Sequence, residues 1–346
     1  MAWTRDPDFL GDTTPAFGFG RGDFKKPGFR GMQIQGVIDD AVQEVGRVLL
    51  GKENQIRLAL CCLFARGHLL IEDLPGMGKT TLSHALADAL GLSYKRVQFT
   101  SDLLPADILG VTIYERDSAR FTFHPGPIFT QVLLADEINR TTPRTQSALL
   151  EAMAEGQVTV EGETRDLPDP FFVIATQNPI HQSGTYPLPE SQLDRFLMRL
   201  ELGYPHPEAE RALLMRPRGK SAGGAQASRA ASLIRKIDAD QLEAIRSAVS
   251  EVQASDSVLD YLQRVVAFSR QSAEFAVGLS PRGAIALLDC ARTWAVMNNR
   301  DHVVPEDIQT VLPAVAGHRL VASGDYAGDG QALVKLLLHG VDVVRR

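Results

Sequence analysis

Two short clusters in this chain have the side chains to handle a phosphate ester. The first is Pro75-Gly76-Met77-Gly78-Lys79-Thr80-Thr81, in which two glycines precede a Lys-Thr pair. Backbone N–H groups of such a loop converge on phosphate oxygens, the Lys79 ammonium neutralises the outer phosphates, and the Thr80 hydroxyl completes a magnesium shell. The second is Asp136-Glu137, which ends the apolar run Val132 to Ala135. Asp136 is the expected metal holder, directly or through water, and Glu137 the group that orients or deprotonates an attacking water. Alone, an apolar run followed by Asp-Glu reads as an ordinary strand end; downstream of a phosphate loop it reads as the other half of a hydrolytic site.

Three further side chains fit that chemistry, each with a plainer alternative. Asn178 ends the apolar run Phe171 to Thr176 and could contact the terminal phosphate or the water, or simply turn the chain before Pro179. Arg195 suits a developing phosphoryl charge, and a surface ion pair equally well. Arg282 follows Ser280-Pro281, an N-cap and first-turn signature, so it stands at an anion-friendly helix start from which it could close over the phosphates.

The elements that must position these residues follow from the pattern. Leu69 to Ile71 predicts a buried strand into the loop, and Leu82, Ala85, Leu86, Ala89 and Leu90 the inner face of a helix out of it. The usual motif places a glycine where this chain has Asp73; with Pro75-Gly76 able to supply the tight turn, the loop is a variant. Ile34 to Leu63 predicts two helices, Tyr94 to Phe99 a second strand, and Asp102 to Leu109 a short helix. Val111 to Tyr114 with Arg120 to Phe123 predicts a hairpin before a helix beginning near Pro127, and residues 157–167 a second hairpin after a helix over Pro143 to Glu155. Placing Asp136-Glu137 at the carboxyl ends of parallel strands puts them where open α/β sheets bind ligands. Beyond Tyr204 and a Gly/Ala/Ser stretch over 217–231, apolar spacing is helical throughout, predicting a small bundle.

Composition narrows the class. Net charge is −6, which disfavours a general nucleic-acid binder. Cys61, Cys62 and Cys290 lack metal-ligand spacing and read as buried thiols. The amino terminus lacks a charged and apolar leader, and no stretch has spanning length, so a cytoplasmic protein is expected. Residues 1–32, rich in Gly, Pro and Asp with scattered phenylalanines, read as a disordered arm that is either solvated or docked on a neighbour.

The chain resembles the MoxR family of AAA+ ATPases over roughly residues 34 to 320. The likeness is carried by Glu72 to Thr80, Pro125 to Phe129, Leu134 to Arg140, Thr145 to Met153, Ala175 to Pro179, Gly184 to Phe196 and Ser280 to Arg282. It implies an α/β AAA+ P-loop core (33–204) with two inserted β-hairpins and a helical lid (205–346). It also implies Walker A at Lys79 and Thr80, Walker B at Asp136 and Glu137, sensor 1 at Asn178, an arginine finger at Arg195 and sensor 2 at Arg282. ATP with Mg2+, a homo-oligomeric and hexameric ring, and a von Willebrand factor A domain partner in maturing or activating a client belong to the same expectation. Gln98, ending the second strand, is a candidate to hold Glu137 inactive, though a strand-end glutamine is also commonly solvated. The competing class is a nucleic-acid-stimulated or chelatase-like motor, which shares the hairpin-bearing plan.

Overall fold

Continuous apolar runs in the core strands dictate a sheet with both faces covered, and a computed structural model, which describes residues 30–178, 184–215, 236–324 and 330–343, has that arrangement. The chain enters through α1 (Arg30–Val48) and α2 (Glu53–Phe64), then β1 (Leu69–Glu72), the phosphate loop and α3 (Lys79–Ala89). After β2 (Tyr94–Gln98) and α4 (Pro105–Leu109) comes the first hairpin, β3 (Gly110–Glu115) with β4 (Arg120–Pro125). β5 (Val132–Asp136) and α5 (Pro143–Glu155) precede the second hairpin, β6 (Gln157–Val160) with β7 (Glu163–Asp166). β8 (Phe172–Gln177), α6 (Glu190–Leu193), β9 (Met198–Leu200) and α7 (Pro207–Met215) complete this part.

The five core strands are parallel in the order β2-β5-β8-β1-β9. Successive side chains point to opposite faces, and the core divides accordingly. Leu69, Ile71, Val132, Leu134 and Ile174 join α1, α2 and α3 on one face. Leu70, Leu133, Ala135, Val173 and Ala175 join α5 on the other. β2 is an edge strand and less buried, so its outward residues are free to reach over the carboxyl end of β5.

The lid comprises α8 (Ala239–Glu251), α9 (Asp256–Gln271), β10 (Phe275–Val277), α10 (Pro281–Met297), α11 (Pro305–Ala316), β11 (Val321–Ala322) and α12 (Gly330–Gly340). Its apolar residues continue the core that α1, α2 and α3 build. Ser280 caps α10 as expected: its Oγ accepts from Gly283 N at 3.0 Å.

Two local expectations are corrected. No helix begins near Pro127; Gly126 to Gln131 turn directly into β5. Only this short span separates β4 from β5, and Gly126 is packed so tightly that an added Cβ would meet Ile108 O at 2.1 Å. The lid is helical but also holds a short antiparallel pairing of β10 with β11, too brief for a period to reveal. Of the expected arm, residues 1–29 lie outside the described residues, and α1 begins at Arg30; the Gly/Ala/Ser stretch also lies outside them.

Candidate active site at the two edges of the sheet

The carboxyl ends of β1, β5 and β8 bring the first set of residues together. Gly76 and Gly78 have φ of 86° and 93°, a left-handed backbone that favours glycine and lets the loop curl into the start of α3. Lys79 opens that helix and is buried. Its Nζ donates to Asp73 O at 2.7 Å, Gln177 O at 3.3 Å and Asn178 Oδ1 at 3.0 Å. Burial lowers the Lys79 pKa, while Asp136, Asp73, Glu137 and Glu72 pull it back up.

The residue that departs from the loop pattern has a clear structural task. Asp73 Oδ2 accepts from Leu202 N at 2.8 Å and Gly203 N at 2.6 Å, and its Oδ1 accepts from Leu74 N at 2.7 Å. A glycine there would leave the loop untied from the end of β9. Arg199 of β9 adds a second tie, from Nη1 to Glu72 Oε2 at 3.1 Å.

Asp136 and Glu137 leave β5 in divergent directions because Glu137 adopts φ 58°, a conformation costly for a non-glycine residue. Thr176 compensates on both sides: its Oγ1 donates to Asp136 Oδ1 at 2.6 Å and accepts from Glu137 N at 2.9 Å. Glu137 is then held by its own oxygens. Oε1 accepts from Asn178 Nδ2 at 2.9 Å, Oε2 accepts from Gln98 Nε2 at 2.9 Å, and Arg140 Nε stands 3.4 Å from Oε2. Asn178 therefore bridges Lys79 and Glu137, with its amide orientation set by that pair of bonds.

Arg195 and Arg282 lie elsewhere. Both line a groove at the amino ends of β1 and β9, with His68, Asp194, Asp289 and Arg319. β1 is four residues long, which separates this groove from the phosphate loop by about 13 Å. Arg195 Nη1 donates to Leu150 O at 2.8 Å, and Arg282 is exposed without a hydrogen bond or ion pair among the described residues. In this structure α10 starts at the edge of the sheet opposite the phosphate loop, because the lid packs on the α2 side of the core, so Arg282 does not stand beside its own chain's loop.

Sequence reasoning missed the groove's framework. Arg319 has a buried guanidinium that bonds Asp194 Oδ1 at 2.6 Å, Asp194 O at 3.3 Å, Phe196 O at 2.7 Å, Leu197 O at 3.1 Å and the Val315 carbonyl. His318 Nε2 donates to Phe196 O at 3.0 Å; burial and the Arg319 charge push its pKa well down, so the ring is neutral. The end of α11 thus grips the segment that carries Arg195. His68 braces the same edge: Nδ1 accepts from Val173 N at 3.1 Å, which places its proton on Nε2, 3.1 Å from Met153 O. Burial lowers its pKa to about 4. Thr176 was detectable in principle, since it shares a strand face with Asn178 two residues on; Arg319 had no such signal.

A phosphate loop, an Asp-Glu strand end and a helical lid define an AAA-class ATPase, and the comparisons agree. The model of the ATPase family associated with various cellular activities matches residues 68–198, and an AAA lid model matches residues 267–335. The chain is 43% identical to the uncharacterized protein YeaC of Bacillus subtilis, over 89% of this chain and 95% of that one. It is 38% identical to chaperone MoxR1 of Mycobacterium tuberculosis, over 84% and 78% respectively. A crystal structure of a "putative ATPase" from Cytophaga hutchinsonii superposes with a TM-score of 0.81 at 34% identity, covering 91% of this chain and 97% of that one. The chain belongs to the MoxR family of AAA+ ATPases.

Proposed function

We propose that this protein is an ATP-driven remodelling motor whose hydrolytic site is completed by a second copy of the chain. The supporting observation is the separation of charges: the phosphate loop and Glu137 stand at one edge of the sheet, while Arg195 and Arg282 stand at the other. β1 and the core built around it lie between either arginine and the loop of its own chain. A head-to-tail neighbour would bring them to the loop, and repetition of that contact closes a ring, the hexamer of the family expectation.

In this mechanism the loop backbone from Pro75 to Gly78, with Lys79, Thr80 and Thr81, binds the phosphates of ATP. Asp136 and the Thr80 hydroxyl are oxygen donors that suit Mg2+, which takes few protein oxygens. Bound there, the ion would neutralise charge on the phosphates. Glu137 takes a proton from the attacking water, Asn178 holds Glu137 in register with Lys79, and the neighbour's arginines stabilise the charge that develops on the transferred phosphoryl group. Gln98 competes for Glu137 and restrains it until the neighbour or a client engages. Because α11 grips the finger segment, motion of the lid is communicated to Arg195 and through it to the next site.

The work done is remodelling of a client protein or metalloenzyme complex, with a von Willebrand factor A domain protein as the adaptor, a reading that rests on family likeness. The central test mixes two inactive variants, Lys79→Ala and Arg195→Ala. Under subunit exchange, mixed rings contain junctions with an intact loop facing an intact finger, so ATP turnover should reappear. Mixed assemblies, verified by native mass spectrometry, that stay as inactive as either variant alone would rule out a finger acting between subunits.

A further inference from the structure

One side chain at the carboxyl edge has no part in the mechanism above. Arg96, on the edge strand β2, directs Nε and Nη2 at the same carboxylate oxygen, Asp136 Oδ2, at 3.1 and 2.6 Å. Its Nη2 also donates to Gln98 Oε1 at 3.2 Å. Gln98 in turn donates to Glu137 Oε2. Strand register explains the convergence. Gln98 pairs with Asp136 across β2 and β5, and Arg96 lies two residues back on the same face of β2, within diagonal reach.

The arrangement places a cation on the carboxylate expected to hold magnesium. Thr176 donates to Oδ1, and the guanidinium puts two N–H donors on Oδ2, so it fills the carboxylate oxygen that Thr176 leaves open to a metal shell. Arg96 differs from a structural buried arginine: its side chain is 49% exposed while Asp136 is 10% exposed, and its strand has solvent on one side. It can swing outward without opening the core. A divalent ion next to Asp136 would repel it and compete for the same lone pairs.

We propose that Arg96 is a displaceable counter-ion: it satisfies Asp136 before the metal–nucleotide complex binds, and its release on binding loosens Gln98 from Glu137. Occupancy of one carboxylate is thereby transmitted to its neighbour through Arg96 and Gln98. The inference rests on Asp136 being the metal-holding residue in the proposed mechanism.

The test measures binding of a fluorescent ADP analogue to the full chain as Mg2+ is titrated from an EDTA-treated start. In Arg96→Ala the Mg2+ concentration for half-maximal binding should fall by roughly two- to fivefold, the effect of removing a half-exposed ion pair. An unchanged or higher requirement, with wild-type binding clearly Mg2+-dependent, overturns the counter-ion role alone. Wild-type binding indifferent to Mg2+ overturns the reading of Asp136 beneath it. For the coupling, melting temperatures of Arg96→Ala, Gln98→Ala and the double variant should be non-additive in EDTA and additive in saturating Mg2+ and nucleotide. Additivity in both conditions eliminates the transmission through Gln98.

Discussion

At the carboxyl edge of the sheet, Lys79, Asn178, Glu137 and Gln98 form one continuous hydrogen-bonded chain, and Asp136 has partners on both oxygens. At the amino edge, among the described residues, Arg282 is unpaired and the Arg195 guanidinium bonds a carbonyl, while the buried Arg319 behind them is held by the Asp194 carboxylate and backbone carbonyls. One edge is internally satisfied and the other presents cations outward. The contrast teaches that the first edge is organised by bonds within the chain, whereas the second leaves cationic groups exposed, as the proposed contact with a neighbouring copy requires.

Lesions at the two edges should therefore separate catalysis from architecture. Glu137→Gln should lower the ATP turnover rate by about 10²- to 10⁴-fold, the contribution typical of a positioned base, while nucleotide still binds and the fold is unchanged. Turnover within a few-fold of wild type would remove Glu137 from the role of base.

Arg319→Ala should act on both properties at once. Stripping the partner from the Asp194 carboxylate and four carbonyls should cost roughly 3–5 kcal/mol, read by urea unfolding, and the surviving folded fraction should bind nucleotide but turn it over slowly. Normal turnover in that folded fraction would mean that the α11 grip does not position Arg195.

Acid should weaken the amino edge through His68. Its folded-state pKa is depressed to about 4 from 6.5, so the unfolded chain binds the extra proton, and stability falls as pH drops from about 6.5 toward 4. The loss from this one group should reach about 3 kcal/mol at pH 4. Comparing unfolding of wild type and His68→Gln across that window isolates it; parallel pH profiles would contradict the neutral, buried ring.

The smallest effect belongs to the loop variation. Asp73→Gly restores the common motif yet removes the tie to Leu202 and Gly203, and should cost about 1–2 kcal/mol of stability with nucleotide binding retained. A stabilised variant would show that the Asp73 clasp is strained.

The legibility of these features follows chain distance. The phosphate loop, the Asp136-Glu137 pair, both hairpins and the capped start of α10 were readable because each is made by neighbours in sequence, through a glycine turn, a period of two or a cap. The tie made by Asp73 was unreadable, as the N–H groups that donate to it, on Leu202 and Gly203, lie just past β9, far along the chain. Arg96 and Thr176 needed the register of β2 with β5 and of β5 with β8 before they could be aimed at Asp136. The segment near Pro127 misled because helix-compatible residues were overruled by the close packing of Gly126 on Ile108.

From its residues alone, then, this chain is committed to phosphate chemistry: local backbone geometry and side-chain type suffice to make a loop that accepts anions and a strand end that offers carboxylates. Which edge of the sheet each arginine occupies was not contained in any local pattern. For Arg282 it is set by how the lid packs against α2 and β9, a contact largely among apolar surfaces with no directional signature in sequence, and for Arg195 by the parallel pairing of β9 with β1, residues far apart along the chain.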